Sequence, residues 1–182
     1  MKKLFLLLAL SLFMVSCGEK IAYNDTIQDT FFGVKFGASK EKVIKAFKEQ
    51  GLYLDKRYST NESLNFEPYG KYFSFGGMNW QYVNVLLSNG KFSGIQFLDT
   101  PNSKETALEW YDGVLEEVSS KYNIAERPIE DENIYKKSGG CTKDGKYFVV
   151  CCFKEESVAG MIRNYVVLEY GDEKFQGVSN EL

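Results

Sequence analysis

The chain has 182 residues and a mass of 20.8 kDa, enough for one globular domain of ordinary size with a core that buries most of its apolar surface. Hydrophobic residues make up 44% and charged residues 26%, which excludes a disordered chain, a collagen-like repeat and a multi-span membrane protein. There is no histidine, so imidazole bases, Ser-His and Cys-His nucleophilic pairs and HExxH metal sites are excluded as well.

Met1, Lys2 and Lys3 form a basic start, and residues 4–15 hold one polar residue, Ser11. Twelve residues at 1.5 Å each reach only about 18 Å as a helix, short of the roughly 30 Å of a bilayer core, so this run reads as a signal peptide. Met14-Val15-Ser16-Cys17-Gly18 then resembles a bacterial lipobox, with Met14 where Leu is usual. The resemblance implies cleavage before Cys17, a diacylglyceryl group on its sulfur, and a mature chain starting there. Two or three acyl chains make a stable anchor, whereas one does not. Removal of Lys2 and Lys3 leaves 20 basic against 25 acidic residues, a net charge of −5. Such a chain is a poor ligand for nucleic acid or anionic head groups, so attachment to the membrane falls to the lipid. Gly18 after the cysteine, where Asp is associated with retention in the inner membrane, implies the outer membrane, with the periplasmic or outward side left open. Residues 17–29 read as the lipidated N-terminus and a flexible tether, of which residues 18–29 span up to about 40 Å. Residues 30–182 read as one domain.

Phe31 to Gly37 is an aromatic, strand-like opening. A helix follows, capped by Ser39 with Glu41 in its first turn, carrying Val43, Ile44 and Phe47 on one side and ended by Gly51. Residues 52–58 read as a strand and 59–70, with Asn61, Asn65 and Pro68, as a long or mobile loop. Residues 71–75, 82–88 and 91–97 are expected as three sequential antiparallel strands, the last two joined by a type I′ turn at Asn89-Gly90. A second helix is predicted over 104–121 from Ala107, Leu108, Tyr111, Val114, Leu115, Val118 and Tyr122, which recur three and four apart. Strands at 133–137, 146–153 and 161–170 complete the chain, with Asp144-Gly145 as a second two-residue turn. Ser39-Lys40-Glu41 echoes Ser103-Lys104-Glu105 at an offset of 64 residues. The fold class expected is α+β: one antiparallel sheet with both helices on one face, the echo pointing to a duplicated helix-plus-meander unit.

The segments FFGVKFGASKEKVIKAF and GGMNWQYVNVLLSNGKFSGIQF, with the helix after them, resemble a group of small bacterial lipoproteins. Their folds are similar to the β-lactamase inhibitor protein and to the outer-membrane assembly lipoprotein BamE. The resemblance spans residues 31–170 and implies a protein-binding, assembly or inhibitor role, with no catalytic residue to carry over.

With Cys17 lipidated, Cys141, Cys151 and Cys152 remain in an oxidising compartment, where one disulfide is expected. A two-residue turn at Asp144-Gly145 puts Cys141 and Cys152 on one sheet face but four residues apart. Bending at Gly139-Gly140 is then needed to link Cys141 to Cys151 or Cys152, with Cys152 preferred. No metal site and no cofactor are assigned, since there is no CxxC, P-loop, GxGxxG or calcium loop. The acidic runs at 116–117, 130–132 and 155–156 read as solvated surface. On the 82–88 strand, Val83, Val85 and Leu87 are expected to face the helices, while Trp80, Tyr82 and Leu86 project from the opposite face as a binding surface. A protein partner in the envelope is the first reading. A small ligand or glycan stacked on exposed aromatics is the alternative, and an enzyme is not expected.

Overall fold

The structure, a computed structural model, describes residues 21–129, 131–157 and 159–175. Two short strands, β1 (Thr30–Phe31) and β2 (Val34–Lys35), lead into helix α1 (Lys40–Glu49). Then come β3 (Leu52–Leu54), β4 (Ser63–Pro68), β5 (Phe73–Phe75), β6 (Met78–Trp80), β7 (Tyr82–Ser88) and β8 (Lys91–Asp99). Helix α2 (Lys104–Ser119) precedes β9 (Ala125–Glu126), β10 (Ile134–Cys141), β11 (Lys146–Glu156) and β12 (Ile162–Asp172).

Eight of these strands form one sheet in the order β3-β4-β7-β8-β12-β11-β10-β9, with every neighbouring pair antiparallel. Each helix is thus followed by a four-strand meander, and the meanders meet through their last strands, β8 and β12. The fold is α+β as expected. Ser39 and Ser103 cap the two helices by accepting from the backbone N–H of Lys42 and Thr106, at 3.5 and 3.2 Å.

Period-two alternation sets the two faces of the sheet. Val83, Val85, Ile95, Phe97, Val166, Leu168, Phe148, Val150 and Cys152 all point to the helix side. There they join Val43 and Phe47 of α1 and Ala107, Tyr111, Val114 and Val118 of α2 in one core. The Tyr111 hydroxyl donates to Ser138 Oγ at 2.7 Å, tying α2 to β10 at full burial.

Three segments depart from expectation. The stretch 59–70 contains an interior strand, β4, because Leu64 and Phe66 alternate into the core and outweigh the turn-forming residues around them. β5 and β6 do not extend the meander; they form a separate two-stranded ribbon on the helix side. Phe75 stacks on Phe97 with ring centres 3.9 Å apart, and Met78 lies beside Gly113 of α2. The third departure is the tether. From Ile21 onward it is docked: Cys141 donates to Ala22 O and Asn24 donates to Cys141 O, at 3.0 and 2.9 Å, and Ile27 is buried in the core. The free backbone edge of β10 and the cost of leaving Ile27 in water explain the difference.

Candidate functional site

Among the described residues no helix or strand lies on the sheet face opposite α1, α2 and the ribbon. Successive strands lay down three transverse rows on it. One row runs Cys141, Tyr147, Gly171, Gly94, Leu86; the next runs Gly139, Val149, Glu169, Gln96, Asn84, Asn65; the third runs Lys137, Cys151, Val167, Leu98, Tyr82. Tyr147, Val149 and Cys151 form a second apolar cluster there, with Ile134, Cys141 and Phe153 against it. Phe153 and Tyr165 stack nearby, ring centres 5.1 Å apart.

The middle row is polar. Gln96 Nε2 donates to Glu169 Oε2 at 2.7 Å and the Tyr147 hydroxyl donates to Oε1 at 2.8 Å, while Asn65 Nδ2 donates to Asn84 Oδ1 at 2.7 Å. Glu169 is buried to 1% exposure. That burial pushes its carboxyl pKa up, and the bonds from Gln96 and Tyr147, which favour the charged form, oppose the rise. Gln96 Oε1 is buried with no hydrogen-bond partner among the described residues.

At the β3–β4 margin the surface changes character. Tyr53, Tyr58, Tyr69 and Tyr72 are exposed within twenty residues of one another. An open cleft of about 410 Å³ lies among Tyr53, Glu67, Tyr69, Lys71, Gln81 and Tyr82. Tyr53 and Tyr69 have ring centres 5.6 Å apart and planes inclined by 41°. The Tyr53 hydroxyl donates to Glu67 Oε2, and the Thr100 hydroxyl donates to Gln81 Oε1.

Of the residues expected at a binding face, Tyr82 and Leu86 lie on the helix-free side, both half-buried. Trp80 does not. It is fully buried, pairs with Phe73 in the ribbon and donates its indole N–H to Phe75 O at 3.1 Å. The strand breaks at Gln81, so the alternation that places Tyr82 does not extend back to Trp80. The expected link between Cys141 and Cys152 is also corrected, since Cys141, Cys151 and Cys152 are all free thiols. Thr142 N–H donates to Lys146 O at 2.8 Å and Gly145 N–H to Thr142 O at 3.2 Å, so the loop has four residues, with Gly145 at φ +91°. Cys141 therefore pairs with Tyr147 instead of Phe148, and this slip of one residue turns it to the face opposite Cys152. Burial raises the Cys151 thiol to about 12 and the Cys152 thiol to about 11, so both stay protonated at neutral pH. Cys17 and Glu130 lie outside the described residues. Comparison with models of protein families, with curated proteins and with solved structures finds no match for the chain.

Sequence reasoning missed the tyrosine cleft because Glu67 and Tyr69 fall in the stretch read as a loop. Gln96 and Glu169 carried a usable signal. Each is a polar residue flanked on both sides by core residues, the mark of a strand position facing away from the core.

Proposed function

We propose that the protein is a non-enzymatic, lipid-anchored component of the cell envelope that works by contact, binding another protein as an assembly factor, accessory subunit or inhibitor. The observation that carries this reading is a second apolar cluster on the sheet face away from the helices: Tyr147, Val149 and Cys151 are buried within it, and its accessible part is the half-buried rim of Tyr82, Leu86, Phe153 and Tyr165. The two helix-plus-meander halves meeting at β8 and β12, with Ser39 and Ser103 in matching caps, support a duplicated unit like that of the β-lactamase inhibitor protein. Anchoring through acylated Cys17 in the outer membrane completes the proposal.

Photo-crosslinking groups at Leu86 and Phe153, with Glu109 on the exposed side of α2 as control, test it in the native envelope. A reproducible protein adduct from the first two positions and not the third is expected. No adduct, or equal yield from Glu109, refutes contact through this face. Loss of lipid labelling and membrane retention in Cys17→Ser tests the anchor separately.

A further inference from the structure

The tyrosine-lined cleft at the β3–β4 margin is separate from the proposed protein-binding face in everything but Tyr82. We infer that it is a subsite for a neutral saccharide, in which pyranose rings lie against tyrosine faces while their hydroxyls meet Glu67, Gln81 and Lys71.

A pyranose presents a flat C–H face and a rim of hydroxyls. The C–H groups carry partial positive charge and suit the negative face of an aromatic ring, whereas hydroxyls need planar polar groups that both donate and accept. The cleft supplies both. Tyr69 is 72% exposed and inclined to Tyr53, so its ring is open to a ligand and not spent on the core. Glu67 accepts from the Tyr53 hydroxyl and lies beside the Asp55 carboxylate, which is itself paired with Arg57. Gln81 has its amide oxygen engaged by Thr100, which aligns the carboxamide and leaves its NH₂ group to donate. Lys71 has no carboxylate at ion-pair distance among the described residues; its ammonium lies 4.9 Å from the Tyr72 ring centre. The volume of about 410 Å³ falls at the lower end of the roughly 300–1,000 Å³ usual for small-molecule sites.

Charge narrows the ligand class. Glu67 and Lys71 are the acidic and basic side chains of the lining and the adjacent Asp55 is paired with Arg57, so the charges balance and the cleft favours a neutral sugar over a uronate, a phosphate or a polyamine. The hydroxyls of Tyr53, Tyr69 and Tyr82 and the side chains of Glu67, Lys71 and Gln81 make the walls polar, which disfavours a lipid or purely apolar guest.

The test is titration of the purified protein, by calorimetry and by NMR, with cello-, malto- and chito-oligosaccharides and with oligogalacturonate, at up to about 10 mM. Saturable binding to at least one neutral oligosaccharide is expected, weakened roughly tenfold by Tyr69→Ala and little changed by Tyr69→Phe, which keeps the ring. Tyr69 is exposed, so its truncation leaves the core intact, and a thermal melt of each variant checks this. Absence of saturation by every neutral sugar overturns the inference. So does binding that survives Tyr69→Ala, or tighter binding of oligogalacturonate. A protein adduct that depends on Tyr69 without sugar binding assigns the cleft to the protein partner instead.

Discussion

Glu169 makes stability depend on pH with a sign opposite to most carboxylates. Its pKa is raised in the folded state by burial, so the fold binds a proton more tightly than the unfolded chain does, whose value is near 4.5. The stabilisation is therefore fully present below about pH 4.5 and is lost as pH rises through the folded pKa, at about 1.4 kcal/mol per pH unit between the two. Glu169→Gln removes this titration without emptying the site. The new carboxamide oxygen is expected to accept from the Tyr147 hydroxyl and its NH₂ to face Gln96, whose own carboxamide turns over to offer the oxygen that has no partner among the described residues. Urea unfolding of both proteins from about pH 4 to about pH 8, followed by the fluorescence of Trp80 and Trp110, gives the difference in stability at each pH. Other carboxylates, such as Asp144, held near 2 by the Thr142 hydroxyl and Lys146, cancel in that difference. The variant is expected to gain on the wild type steadily as pH rises, then level off, and the total gain divided by 1.4 reads out the shift. Parallel curves, or a gain that grows toward acid, refute a raised pKa for Glu169.

Tyr111→Phe leaves the buried Ser138 hydroxyl without its partner and is expected to cost about 1–3 kcal/mol in urea unfolding, with Ser138→Ala adding little on top of it. Gly171→Ala places a Cβ 2.4 Å from the Tyr147 ring and is expected to cost about 1–3 kcal/mol, a loss that a smaller residue at 147 relieves. Ile27→Ala is expected to cost about 2–5 kcal/mol, where the same change in a free tether stays within about 0.5 kcal/mol. Intact-mass analysis without reductant is expected to show three thiols, with Cys151 and Cys152 alkylated only after unfolding.

The parts of the fold that were legible in the sequence are those fixed by local chemistry. Ala107, Tyr111, Val114 and Val118 announce α2 because helix burial repeats every three or four residues, and all four are buried. Asn89 and Gly90 adopt the positive φ values of 50° and 72° that a type I′ turn requires, so the pairs Ser88–Lys91 and Leu87–Phe92 follow from sequence, whereas a bulge between Leu86 and Leu87 shifts the remaining pairs by one residue. Asp144-Gly145 carries the same signal but belongs to a longer loop. The type of a turn depends on where the flanking strands bury their side chains, and here Phe148, Val150 and Cys152 on the core side decide it. Trp80 was misplaced for a related reason: alternation counts faces only within an unbroken strand. The cleft was harder still, because Tyr53, Glu67, Lys71 and Gln81 come from β3, β4 and the connections around the ribbon, and meet only through the β3–β4 and β4–β7 pairings.

Docking of residues 21–29 changes what an anchor at Cys17 implies. Four residues, 17–20, then separate the lipid from the folded chain, a reach of about 14 Å where a free tether gives about 40 Å. The chain joins the sheet at Cys141 on β10, whereas the tyrosine cleft lies at β3, six strand spacings or about 29 Å across the sheet. A surface meant for lipid head groups belongs at the near edge. Tyr53, Tyr58, Tyr69 and Tyr72 are exposed at the far edge and Tyr23 at the near one, so a Cys17 anchor, as proposed, would put the chain's attachment beside Tyr23 and leave the tyrosine cleft at the opposite margin of the sheet.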